Sequence, residues 1–156
     1  CVYASPSADT PAFLLTAAAR LGELLTDGSH VCVNGGGRSG GMGALNAAVV
    51  KGKGEIISVS LKRWARGRKP FSREQMIVIE DDDLADWKRR LRDASDVVIV
   101  LLGGAGTLDE LFDLVALRGT GMSSLPICLV NIASYYNGLV MQHARARAEK
   151  VASASL

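Results

Sequence analysis

Residues 97–110 read VVIVLLGGAGTLDE, and the order of chemistry in that stretch decides the fold. The unbroken apolar run VVIVLL is rich in β-branched residues, as expected for a strand buried on both faces of a parallel sheet. Gly103, Gly104 and Gly106 follow, and then Thr107 and Glu110 in the T-x-x-E spacing of a capping box. The apolar face Leu111, Leu114, Val115 continues from there as a helix. A turn needs one glycine or two, so three within four positions mark a main chain that something approaches closely. The capping box accounts for Thr107 and Glu110 and leaves the glycines unexplained. A ligand lying on the main chain explains them, with the Thr107 hydroxyl and N–H reaching its phosphate. Glu110 then points along the floor of the same pocket, although alone it is as consistent with a cap as with a catalyst.

Working outward, the same device recurs in NGGGRSGGMG at 34–43, again after an apolar run. Strand candidates are 1–5, 30–34, 55–61, 75–80, 97–102 and 126–131, mostly continuous apolar runs. Helical stretches fill the gaps at 10–27, 41–52, 82–94, 107–118 and 135–150. Alternating β and α with short connections predicts an α/β fold, a doubly wound parallel sheet in a Rossmann-like three-layer αβα sandwich. One nucleotide-binding domain over 1–156 is expected, with a frayed small-residue tail, VASASL. In such sheets ligands bind at the carboxyl ends of the strands, where both glycine loops fall.

As a dinucleotide fingerprint, GGGRSG at 35–40 is a poor match. It follows the second strand, and the acid expected about 20 residues on is missing. Lys62 and Arg63 stand near that place and leave a 2′-phosphate, hence NADP, open. No G-K-[ST] follows, so a P-loop is excluded. What survives is exposed backbone N–H at a helix amino end, which attracts a phosphate.

The net charge of +2 argues neither for nor against nucleic acid. One local exception, KRWARGRKPFSR at 62–73, holds six basic residues and no acid; it reads as a solvated loop or an anion-facing one. Three cysteines without paired spacing, Cys1, Cys32 and Cys128, fit buried thiols in a reducing compartment. Two histidines, His30 and His143, without Cys/His clustering make a metal site unexpected. No apolar run reaches the ~20 residues of a membrane span and no signal peptide is visible, so the expected location is cytoplasmic.

Together, GGGRSGGMG and GGAGTLDE resemble the signature of the LONELY GUY family of cytokinin-activating phosphoribohydrolases, long labelled possible lysine decarboxylases. That family's motifs are G-G-G-x-x-G-L-M-G and P-G-G-x-G-T-x-x-E. The likeness extends to CVYASPS, SDVVIVLL and VNIASYYNGLV, nearly the whole chain. It implies a homodimer that hydrolyses the N-glycosidic bond of a nucleoside 5′-monophosphate. No cofactor is implied, neither pyridoxal phosphate nor metal, and no nucleic-acid polymer is expected as partner. Carried over, the resemblance gives the phosphate to Gly36, Gly37, Gly40, Gly43, Gly103, Gly104, Gly106 and Thr107, with Ser5 and Ser7 of the first loop. Glu110 stabilises the sugar cation and orients water. Leu102, Gly41 and Asn34 depart from the family's Pro, Leu and aromatic. Relatives also carry an Arg-Lys pair on the preceding helix, whose Arg works with the Glu. Aligned without gaps from Ser95-Asp96, that Arg falls on Trp87 and the Lys on Lys88; one residue of slippage lets Lys88 or Arg89 supply the charge. Trp87 then stacks on the base or simply packs its helix. The other reading is a nucleotide- or cofactor-binding carrier on the same fold, favoured by loss of the matching Arg.

Overall fold

The computed structural model describes residues 1–152. Strands β1 (Val2–Tyr3), β2 (Cys32–Asn34), β3 (Ile56–Leu61), β4 (Glu74–Ile79), β5 (Val98–Val100) and β6 (Ile127–Leu129) alternate with helices. These are α1 (Ala12–Asp27), α2 (Gly40–Lys51), α3 (Lys62–Ala65), α4 (Leu84–Asp93), α5 (Ala105–Gly119) and α6 (Asn137–Ala148). Every strand pair is parallel, in the orders β2-β3-β4 and β1-β5-β6, and β1 lies beside β2 where the two sheets adjoin. After β4 the chain returns to the far side of β1 to lay down β5, so strand order reverses at β1. This is the Rossmann-like αβα sandwich expected, and the reversal opens a crevice beyond the carboxyl ends of β1 and β5.

The central strands are largely apolar because both of their faces are covered, whereas β4 and β6 at the two edges are partly exposed. Val2, Cys32, Ile56 and Leu101 pack with Ala18, Leu45 and Val49 of α1 and α2. Tyr3, Val33, Val59 and Val100 pack with Leu91 of α4 and Leu111 and Leu114 of α5. The α1–α2 contact is close because Gly22 has no side chain; a Cβ there would lie 2.6 Å from the Leu45 carbonyl oxygen.

Three local features differ from the sequence reading. Helix α5 starts at Ala105 with Gly104 as N-cap, so Thr107 lies inside the first turn and forms no capping bond. Its hydroxyl instead fills the space beside Gly103, where a Cβ would sit 2.0 Å from it. A short helix, α3, forms inside the basic run. Cys128 is exposed on the edge strand β6, whereas Cys1 and Cys32 are buried thiols; all three are free. Residues 153–156 of the VASASL tail lie outside the described residues.

Candidate nucleotide site at the sheet crevice

A cavity of about 540 Å³ occupies the crevice. Its floor is Gly103-Gly104 after β5, one wall is the Ser5–Thr10 loop after β1, and the other is the turn at Ile132–Tyr135. Hydrogen bonds shape each wall. Ser5 Oγ accepts from Ser7 N–H at 3.2 Å, Ser7 Oγ accepts from Asp9 N–H at 3.3 Å, and Thr10 Oγ1 donates to Ser7 O at 2.7 Å. Across the cavity the Tyr135 hydroxyl donates to Gly103 O at 2.9 Å, and Tyr136 OH donates to Leu101 O at 2.8 Å. Ala133 and Ser134 take positive φ, 50° and 61°, in the turn that delivers Tyr135. The aromatic rings of Phe13 and Tyr135, each more than half exposed, stand at the rim.

The amino end of α5 is the cavity's electrostatic feature. The first amides of a helix lack intrahelical acceptors and carry its positive dipole end. Gly104, in extended conformation (φ −88°, ψ −152°), has no side-chain cap to occupy them. A Cβ at Gly104 or Gly106 would meet nothing within 4 Å, so these two glycines leave the main chain open to an incoming group. The glycines of the opening stretch therefore have two causes: Gly103 makes room for Thr107, and Gly104 and Gly106 leave an unobstructed backbone.

Glu110 lies one turn on in α5, buried, and is not among the residues that line the cavity, so it does not form the pocket floor expected from the sequence. Burial, reinforced by the neighbouring Asp109 charge and opposed by Lys88, pushes its carboxyl up to about 8. The buried Tyr3 hydroxyl has no hydrogen-bond partner, and its pKa is raised by burial and then by the Glu110 charge. Lys88 reaches both carboxylate oxygens of Asp109 at 3.0 Å and Asp113 at 3.5 Å. Burial lowers the pKa of its ammonium, but Asp109 and Asp113 more than offset that and raise it. Arg92 pairs with the same Asp113, so α4 and α5 are joined by a ladder of charges. Arg89 points elsewhere, pairing with Asp86 and with Asp93 at 3.0 Å on an exposed face. Trp87 is buried; its indole N–H donates to Val59 O at 2.7 Å, and its ring meets Trp64 edge-on at 5.5 Å.

The structure thus brings Ser5, Ser7, Gly103 and Gly104 around one cavity. The other glycine loop goes elsewhere. Gly36 and Gly37 line a separate depression beside Trp64 and Arg68. Gly40, at φ 60°, wedges beneath the first loop, where a Cβ would meet Ser7 O at 2.5 Å, and Gly43 packs on the Arg38 carbonyl. A buried pair fixes this loop: Asn34 Nδ2 donates to Asn46 Oδ1 at 2.7 Å, and Asn46 Nδ2 donates to Gly37 O at 3.0 Å. Phe13, Tyr135 and the asparagine pair escape a sequence reading because only the fold brings them together; the Tyr135-Tyr136-Asn137 run was the available signal.

These features define a Rossmann-like α/β protein with a nucleotide-sized crevice at the reversal of its strand order. The profile of the family described as "Possible lysine decarboxylase" matches residues 42–155, and the chain belongs to that family. A cytokinin riboside 5′-monophosphate phosphoribohydrolase of Arabidopsis thaliana is 31% identical over 140 residues, 90% of this chain and 65% of the relative. The enzyme of that name from Mycobacterium tuberculosis is 34% identical over 139 residues, 88% of this chain and 73% of the relative. This chain therefore spans just under two thirds of the plant relative's length. Among solved structures, the molybdenum cofactor binding protein of Rippkaea orientalis superposes with a TM-score of 0.61 over 96% of this chain and 81% of its own, at 21% identity, a likeness of fold. No helix among the described residues is long and apolar enough to cross a membrane.

Proposed function

We propose that the chain hydrolyses the N-glycosidic bond of a nucleoside 5′-monophosphate, releasing free base and ribose 5-phosphate. The observation that carries this reading is the uncapped amino end of α5, opened by Gly104 onto a cavity of about 540 Å³. The relatives' names supply the substrate class. The 5′-phosphate takes the free amides at Gly104–Gly106, with the Ser5 and Ser7 hydroxyls on its open side. Phe13 and Tyr135 offer faces to the base. Binding at the phosphate, remote from the bond that breaks, fixes the ribose in position. As the C–N bond lengthens, positive charge grows on the ribose and negative charge on the departing base. Glu110 is the carboxylate on the phosphate-binding helix: ionised it stabilises the sugar cation and orients water, and Lys88, on the neighbouring helix, favours that ionised form. Cytoplasmic location and a homodimer accompany this reading.

Incubation with AMP and N6-modified AMP, followed by chromatography for free base, is the test. Base release absent from wild type while AMP still binds would replace hydrolysis by the second reading, a nucleotide or cofactor carrier. One observation favours that alternative: Trp87, which takes the place of the relatives' arginine in the ungapped register, is committed to packing against Val59 and Trp64.

A further inference from the structure

The depression beside the 35–38 loop is about 330 Å³ and shares no lining residue with the crevice cavity. Trp64 stands in it with 49% of its surface exposed, held edge-on by Trp87. Because Trp87 is itself fixed to Val59 O, the Trp64 ring presents a settled face to solvent. Ser60 lines the same depression at 1% exposure. Its hydroxyl donates to the Leu61 carbonyl at 3.5 Å, a bond long enough to be exchanged for a better acceptor in the depression. Arg66 lines it too and has no acidic partner among the described residues. Arg68 forms the inner wall, its guanidinium held by the buried Glu74 and by Ser58 Oγ at 2.9 Å, with Nε unpartnered. Gly36, at φ 72°, makes that wall possible, since a Cβ would lie 2.9 Å from the guanidinium.

We propose that this depression is a second binding site, for a single aromatic anion of the mononucleotide class. The ring lies on Trp64, and the phosphate takes the Arg66 guanidinium, with the Ser60 hydroxyl as an added donor. A polymer of nucleotides is disfavoured because it needs a track of free cations. Of the neighbouring cations, Lys62 and Arg63 pair on the surface with Glu80 and Asp82, each at 2.7 Å, and Arg38 on the same wall lies over the Phe71 ring and donates to the Lys69 carbonyl. Inorganic phosphate alone leaves Trp64 unused. This proposal does not rest on the glycosidase reading.

The chain's two tryptophans make the test direct, since Trp87 is buried and Trp64 is not. AMP titrated into the full chain should quench and shift Trp64 emission saturably, with the signal absent in Trp64→Phe. Arg66→Ala should raise the midpoint roughly tenfold, while Gly104→Val, which blocks the crevice, should leave it unchanged. Melting curves matching wild type establish that each variant is folded. No quenching up to millimolar AMP, a midpoint indifferent to Arg66→Ala, a midpoint that follows Gly104→Val, or equal quenching by inorganic phosphate each overturns the proposal.

Discussion

Replacing Glu110 by Gln should make the folded chain more stable at neutral pH while removing activity. Burial and the Asp109 charge move the Glu110 carboxyl from 4.5 to about 8. Between those values the folded state keeps a proton that the unfolded chain has released. Stability therefore falls as pH rises from about 4.5 and levels off above about 8. At pH 7 the loss is about 3 kcal/mol, from 1.4 kcal/mol per unit of pKa displacement. Gln keeps the shape of the protonated acid and does not titrate, so that loss disappears. For a chain of this size the gain corresponds to roughly 6–12 °C in Tm. Urea unfolding of both proteins at pH 5, 7 and 9 measures it directly. The curves should nearly coincide at pH 5 and diverge upward, with the variant the more stable. Base release should meanwhile fall by ~10²-fold in the variant, and in wild type rise toward pH 8 as the carboxylate forms. Parallel stability profiles, or a variant less stable at pH 7, would refute the argument that the fold keeps Glu110 protonated there at a cost in stability.

Lys88→Ala should raise the Glu110 pKa further, moving the rise of activity to higher pH, while Arg89→Ala, on the exposed face with Asp86 and Asp93, should leave the pH profile in place. Gly103→Ala, with a Cβ 2.0 Å from Thr107 Oγ1, should cost about 1–3 kcal/mol by thermal melting. Gly104→Ala meets open space and should melt like wild type yet bind AMP more weakly by calorimetry. Trp87→Arg removes the donor to Val59 O and places a guanidinium in an apolar corner, so its urea midpoint should fall by the equivalent of about 3 kcal/mol or more. Light scattering at micromolar concentration should give twice the 16.5 kDa chain mass, since Phe112 and Val140 beside the α5–α6 groove are about half exposed and apolar.

The sheet and most helices were legible because parallel strands buried on both faces leave unbroken apolar runs, and because the helices between them alternate with those runs. What the sequence could not convey was the destination of each glycine. Gly36 and Gly40 serve positive φ, Gly103 accommodates a side chain four residues away, and Gly104 and Gly106 face open space. All five look alike as letters. The capping box was misleading for the same reason: the helix extends back past Thr107, whose side chain sits in the space beside Gly103. The basic run read as a solvated loop or an anion-facing one, yet Arg68 turns inward because Glu74, six residues on at the start of β4, has a fully buried side chain and needs a cation. Burial alone would raise that carboxyl, but four hydrogen bonds, two from Arg68 and one each from Ser58 and the Phe71 amide, outweigh it and hold the group below its usual range.

The geometry of α4 bears on the arginine that relatives carry. Successive helical positions diverge by about 100°, so residues 87 and 88 cannot serve the same wall. Here position 87 faces β3 and the Gly35 backbone, and position 88 faces the acidic edge of α5. A cation at 87 would look toward the 35–37 loop, whereas a cation at 88 is the one whose field reaches Glu110. Trp87 has a structural part of its own. It closes the corner between the 35–37 loop and β3 with an indole, and it props Trp64 outward over the Arg66 depression. Lys88, shared between Asp109 and Asp113, is left to balance Glu110 through a screened and divided charge. An acid so weakly supported stays largely protonated at neutral pH, which ties the rate of any chemistry at the crevice to how far substrate or pH can ionise it.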